Sequence, residues 1–210
     1  MFYREALRFL GCTDVESLDL STQQSFAIDL SLAALIADNV YNFGELIIHP
    51  IFNSLKNSAH FWLYKLICAF NGGDIKTFEE LQLYWRKENE LLNNIHRIRR
   101  KIQLMTLLHI VFEKPTHERS LSFAYIAEQC SIPVNEVETL CMKALSLNLL
   151  KGTIDEVSQL VRVTWLQPRV LDLGQIALVS EQLKTWCTRL EDAIVFANSF
   201  GFRDSEKITS

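Results

Sequence analysis

The stretch SLSFAYIAEQCSIPVNEVETLCMKALSLNLLKGTIDEVSQLVRVTWLQ, Ser120 to Gln167, decides how the rest of the chain is read. A short polar-apolar run, Ser120–Phe123, precedes a helical segment, Tyr125–Cys130. A turn with Pro133 follows, then a second helix from Val134 to about Leu147. Its Val137, Leu140, Cys141, Ala144 and Leu147 fall on one face at three- and four-residue steps. Pro133 suits a first helical position, where its missing N–H has no intrahelical partner to lose. Two strand-like runs close the stretch, Leu149–Ile154 and Leu160–Leu166, with Asp155–Gln159 between them. In the second run Val161, Val163 and Trp165 alternate with Arg162 and Thr164, the period of a strand with one covered face. Strand, helix, turn, helix and hairpin in that order predict a winged helix, with Asp155–Gln159 as the wing loop.

Working back towards residue 1, the pattern is helical. The spacing predicts helices over 1–10 with Gly11 as the stop, Ser21–Asn39, Phe43–Leu55, Ala59–Phe70, Asp74 through Trp85, and Leu91–Phe112. Pro50 must kink the third or divide it in two. Asn71-Gly72-Gly73 ends the fourth, and the Asp74 carboxylate is placed to cap the fifth. Short helices arriving roughly every twenty residues fit stacked antiparallel pairs of a degenerate helical repeat, or an irregular helical bundle. The abrupt helical opening suggests a piece of a longer helical protein.

Beyond the link Gln167-Pro168-Arg169, a last helix is predicted from Asp172 to about Ala197, with a frayed tail over Phe202–Ser210. Ile176, Val179, Leu183, Trp186, Leu190, Ala193 and Ala197 keep alternating steps of three and four, a sustained heptad that asks for a partner helix or a bundle. An internal cap on its own chain is the other use of such a face. The fold class is therefore mainly α: a helical-repeat segment (1–95), a winged-helix domain with its leading helix (96–167), and a C-terminal heptad helix with tail (168–210).

With 210 residues, 49% hydrophobic, the chain can fill a real core. A net charge of -4 offers no general positive field for nucleic acid. Locally the second helix of the winged helix carries Glu136 and Glu138, and the wing loop Asp155 and Glu156, all of which would repel phosphate. The one basic cluster, Arg97-Ile-Arg-Arg-Lys101, reads as a solvated helix face. Five scattered Cys and five isolated His form no metal or redox spacing, and no acid–base pair or phosphate-binding glycine loop is present, so no enzyme, cofactor or metal is expected. No apolar run reaches membrane-spanning length.

The segments Phe2-Tyr-Arg-Glu-Ala-Leu-Arg-Phe-Leu-Gly11, Ala37-Asp-Asn-Val-Tyr-Asn-Phe-Gly-Glu-Leu46, Ile132-Pro-Val-Asn-Glu-Val-Glu138 and Val163-Thr-Trp-Leu-Gln-Pro-Arg-Val-Leu171 resemble the PCI domain family, in the branch found in the proteasome regulatory-particle lid. That resemblance implies a non-catalytic scaffold in ubiquitin-dependent degradation, in the cytoplasm and nucleus. Its partners would be other PCI subunits of the lid and the ubiquitin-receptor subunit, in a hetero-oligomer, with neither nucleic acid nor membrane. Carried onto this sequence, Ile176, Val179, Leu183, Trp186 and Leu190 would enter a helical bundle. Ile154, Val161 and Val163 would form a winged-helix edge between subunits. The same family features fit a scaffold of the COP9 signalosome or of translation initiation factor 3. A nucleic-acid-binding winged helix is the alternative from another class.

Overall fold

A computed structural model describes residues 2–13, 18–115, 118–168 and 173–199. The chain divides into two compact units, 1–170 and 171–210. In the first, helix α1 (Phe2–Cys12) runs through Gly11, so that glycine does not stop it, and α2 (Leu20–Ile36) follows. Pro50 divides the next predicted helix. His49 turns to an extended conformation between α3 (Gly44–Ile48) and a 3-10 helix (Pro50–Asn57), because the residue before proline is pushed out of the α region. The helices α4 (Phe61–Gly72), α5 (Ile75–Glu80), α6 (Gln82–Trp85), α7 (Asn89–Asn93) and α8 (Ile95–Glu113) come next. The segments predicted as two helices over 74–112 are thus broken into four.

Gly73 ends α4 in the left-handed region at φ 69°, and the Asp74 carboxylate accepts the Lys76 and Thr77 backbone N–H groups at the start of α5. An aromatic chain then fixes how these short helices stack. Phe43 meets Phe70 edge-on, Phe70 meets Phe78, and Phe78 stacks on Trp85, with ring centroids 5.3–5.8 Å apart. The Trp85 indole N–H donates to the Phe78 carbonyl at 3.0 Å, which lets a polar atom be buried without cost to the core.

Helix α8 is the spine. Ile98, Ile102, Leu104, Met105, Leu107, Leu108, Ile110 and Val111 are all buried, too many for one face. The helix packs on α4 and α5 of the arm and on α9 (Phe123–Cys130), α10 (Val134–Ser146) and β3 (Leu160–Leu166) of the winged helix. A helix apolar on most sides has to be covered on most sides. Arm and winged helix consequently share one continuous core.

The winged helix has the predicted element order: β1 (Ser120–Ser122), α9, α10, β2 (Leu150–Asp155) and β3. Ser122 caps α9 by accepting the Tyr125 N–H, and Pro133 occupies the cap of α10 rather than its first turn. The antiparallel sheet has the order β1-β3-β2. β3 is therefore central, and β2 and β1 are the edges.

Pairing between β2 and β3 shifts at Lys151/Gly152. Lys151 lies opposite Trp165 but Gly152 opposite Val163, so Thr164 is an extra residue on β3. One extra residue reverses the facing of everything beyond it. Val161 and Val163 point into the core, whereas Trp165, expected in phase with them, lies on the outer face with the Lys151 ammonium 5.0 Å from its ring centroid. Gly152 is required at this irregularity, since a Cβ there would sit 2.1 Å from the Arg162 carbonyl oxygen.

The second unit carries α11 (Leu173–Ser199). The predicted start at Asp172, the link residue Arg169 and the tail Phe202–Ser210 lie outside the described residues.

Candidate protein-interaction surfaces

On α11 the heptad residues share one stripe. Ile176, Leu183, Trp186 and Leu190 are 44–59% exposed, and Val179 is partly covered. Every residue from Ser180 to Asn198 is exposed, including Ala193, Ile194 and Phe196 beside that stripe. Leucine, isoleucine and tryptophan at heptad spacing, exposed apart from partly covered Val179 among the described residues, form a surface suited to another helix.

The hairpin contributes less than its sequence suggests. Ile154 lies on the edge strand β2, partly buried against the core. Val161 and Val163 are 1% and 4% exposed on the central strand, with β1 on one side and β2 on the other. They offer neither a free edge nor an open face, so the expectation that they meet a neighbouring subunit is corrected: they are core. The backbone edge of β2 remains open to strand pairing. Trp165 and the wing-tip residue Val157, 97% exposed, are the apolar side chains this end of the molecule presents, and neither was singled out as an interface residue. Gly152 inside a strand pattern was the signal that could have located the bulge and hence turned Trp165 outward.

The wing closes on itself. The Asp155 carboxylate accepts the Ser158 N–H at 3.0 Å, which holds its carboxyl below the usual carboxylate range, and nearby Arg162 acts in the same direction. The hairpin's arginine thus has an acidic group nearby at the place where a nucleic-acid reader would present phosphate with unopposed positive charge.

The basic cluster at the start of α8 is not a solvated face throughout. Arg97 pairs with Asp38 at 3.2 Å, half exposed, but Lys101 is buried. Its Nζ donates to the carbonyl oxygens of Ala34 (2.6 Å), Ala37 (2.8 Å) and Leu35 (3.4 Å), between the rings of Tyr41 and Phe43. Lys101 sits three residues after Ile98 and four before Met105, both core, and this spacing is the clue that its stem runs inward.

A cleft of about 800 Å³ lies where α1 and the 37–42 loop approach the base of the winged helix. Leu147, Leu149, Gln167 and Pro168 form its far wall. Among the described residues no cluster of His, Cys, Asp or Glu could hold a metal, and no helix is long and apolar enough to cross a membrane. The thiols of Cys130 and Cys141 are pushed up to about 12 by burial, so they are inert packing groups at neutral pH.

Comparison with known proteins agrees with this architecture. Residues 1–67 match the family model of PSD13 N-terminal repeats and residues 78–165 that of the PCI domain. The chain is 39% identical over 197 residues to 26S proteasome non-ATPase regulatory subunit 13 of Dictyostelium discoideum, covering 92% of this chain and 51% of that protein. It is 41% identical over 185 residues to a probable 26S proteasome regulatory subunit rpn9 of Schizosaccharomyces pombe, covering 88% and 48%. COP9 signalosome complex subunit 7 of Drosophila melanogaster is also similar, at 23% over 160 residues. The chain spans about half the length of these proteasome relatives. With its helical arm, winged helix and these two family matches, the chain carries PSD13 N-terminal repeats followed by a PCI domain and is a homologue of 26S proteasome non-ATPase regulatory subunit 13.

Proposed function

We propose that this chain acts as a non-catalytic scaffold in the regulatory-particle lid of the 26S proteasome, holding other PCI subunits in place and so serving ubiquitin-dependent protein degradation. The observation that carries this reading is the largely exposed stripe Ile176, Val179, Leu183, Trp186 and Leu190 on α11. Five apolar side chains in register over four turns are suited to a helical bundle of several chains. The open backbone edge of β2, with Ile154 on it, is the second docking element, placed to pair with a strand of a neighbouring PCI subunit. The helical arm is the side on which a ubiquitin-receptor subunit would dock. In this reading the chain works in the cytoplasm and nucleus, in a hetero-oligomer, with no role for nucleic acid or membrane. Similarity near 40% to proteasome subunits, against 23% to the COP9 signalosome subunit, favours the proteasome over the related assemblies.

The test is the double variant Leu183→Asp with Trp186→Asp. Both side chains are exposed, so circular dichroism and melting of the purified chain should match the wild type. Co-purification of lid subunits with the tagged chain should fall at least tenfold. Undiminished co-purification would remove α11 from the interface, and loss of fold in the isolated variant would make the helix an internal cap.

A further inference from the structure

We propose that the helical arm carries a docking site for an acidic peptide segment of another protein, built on the exposed end of a ladder of aromatic rings between the 3-10 helix (Pro50–Asn57) and α4. The ladder starts in the core. Phe52 is fully buried and stacks on Tyr64, with ring centroids 4.8 Å apart. Tyr64, half-buried, stacks in turn on Phe61 at 5.9 Å with 12° between the ring planes. Phe61 is 40% exposed, so the last rung lies at the surface. Phe61 and Tyr64 are one turn apart on α4, which is why their rings meet.

Each outer ring carries a lysine. The Lys65 Nζ lies 5.0 Å from the Phe61 centroid, and the Lys56 Nζ 5.3 Å from that of Tyr64. Because these two rings stack on one another, both ammonium groups belong to one patch. Both lysines are exposed, and among the described residues neither forms an ion pair with a carboxylate. The ring attracts the ammonium through its quadrupole but does not cancel its charge. A lysine resting on a ring is also partly ordered before anything binds, so a partner carboxylate loses less to side-chain entropy.

The sequence around the patch carries one sign of charge. From Leu46 to Gly73 there is no Asp or Glu, although the whole chain has 25 of them against 21 Lys and Arg. The acidic groups nearest this stretch are turned to other uses. Asp29 on α2 lines a hollow with Phe2, Leu32 and Glu90, and Glu45 accepts the Asn42 amide beside the cleft at Tyr3. The Asp74 carboxylate holds Lys76 and Thr77 at the start of α5, and Glu79 and Glu80 beyond it make no ion pair with either lysine. The patch is thus a positive island on a chain of net charge -4, with an exposed aromatic ring in it.

That combination selects the occupant. Lysine ammonium groups are point charges without the guanidinium fork, suited to carboxylates taken one at a time. The open area of Phe61 suits an apolar side chain placed among those carboxylates. A nucleic-acid strand asks for a longer basic track along its phosphates than two lysines provide. The site uses nothing of α11, so it goes beyond the scaffold reading and stands independently of it.

Fluorescence anisotropy of the full chain with a labelled peptide, Glu-Asp-Glu-Phe-Asp-Glu-Asp, tests this. Binding should be saturable and should weaken as salt is raised. Lys56→Glu with Lys65→Glu should weaken it by about tenfold or more at unchanged circular dichroism, since both side chains are exposed. If that pair disturbs the fold, Lys56→Gln with Lys65→Gln takes its place, with a loss of about threefold. Arg99→Glu with Arg100→Glu on the exposed side of α8 changes the net charge by the same amount and should leave binding within about twofold. Phe61→Ala should weaken the peptide by about threefold but leave a version with Ser in place of its Phe unaffected. Absence of saturable binding would overturn the proposal, as would equal losses in the two charge-reversed variants or an equal effect of Phe61→Ala on both peptides. Displacement of the peptide by a lower concentration of oligothymidylate would also overturn it, by making the patch a nucleic-acid site.

Discussion

Gly72 and Gly73 are neighbours with opposite demands. Gly72 is the last residue of α4, in helical conformation, and a Cβ there would meet nothing within 4 Å. Gly73 sits at φ +69°, and its Cβ would lie 2.6 Å from the Thr106 Cα on α8. Left-handed strain and a backbone collision add, so Gly73→Ala should lower stability by about 3 kcal/mol. Gly72→Ala should raise it by roughly 0.5 kcal/mol, by narrowing the unfolded chain. Urea unfolding of the two variants checks the pair. Two losses of similar size would mean that the corner has no room on either side. The sequence announces a helix stop at Asn71-Gly72-Gly73, but which glycine bears the strain depends on how close α8 comes. The same holds for Lys101. A run of arginines and a lysine looks solvated on paper, and only the approach of the α2 terminus draws one of the four cations inside.

At the scale of the element, β3 shows how one residue changes a reading. Alternation of Val161, Val163 and Trp165 is sound reasoning for an unbroken strand. The extra residue Thr164, opposite the close approach at Gly152, turns the last of the three outward. Val163→Ala should cost about 2 kcal/mol, since it removes buried methyl groups and leaves a space. Trp165→Ala deletes far more atoms, yet it should cost about 1 kcal/mol or less, chiefly the Lys151 contact and half-covered area. Melting temperatures decide it: a larger loss at Trp165 than at Val163 would put that ring in the core after all. Helix α11 was legible from its heptad, because a 27-residue helix with a regular stripe needs no tertiary contact to reveal its period. The broken run over 74–112 was not. Leu81 and Asn94 interrupt the two predicted helices without any glycine or proline, as the chain bends to stack Phe78 on Trp85 and to bury Leu91.

For the whole molecule, charge speaks against nucleic acid. The net charge is -4, the Lys151 ammonium lies over Trp165, and Asp155 offsets the charge of nearby Arg162. Binding to duplex DNA should stay at background from 50 to 200 mM salt in a mobility-shift assay. A complex that weakens steeply with salt would restore the nucleic-acid reading, because such a slope counts the counterions released from phosphate.

The element order of the winged helix, the heptad and the lack of catalytic spacing were all determined by the sequence alone, since each rests on local periodicity or on residue types side by side. Tertiary structure alone decided which strand is central, which face Trp165 takes, which glycine is strained and where Lys101 points. Those outcomes hang on contacts between residues far apart in the chain, such as Ala34 with Lys101, Gly73 with Thr106 and Ser120 with Arg162. No local pattern records such a contact, because its energy exists only once the two segments have met.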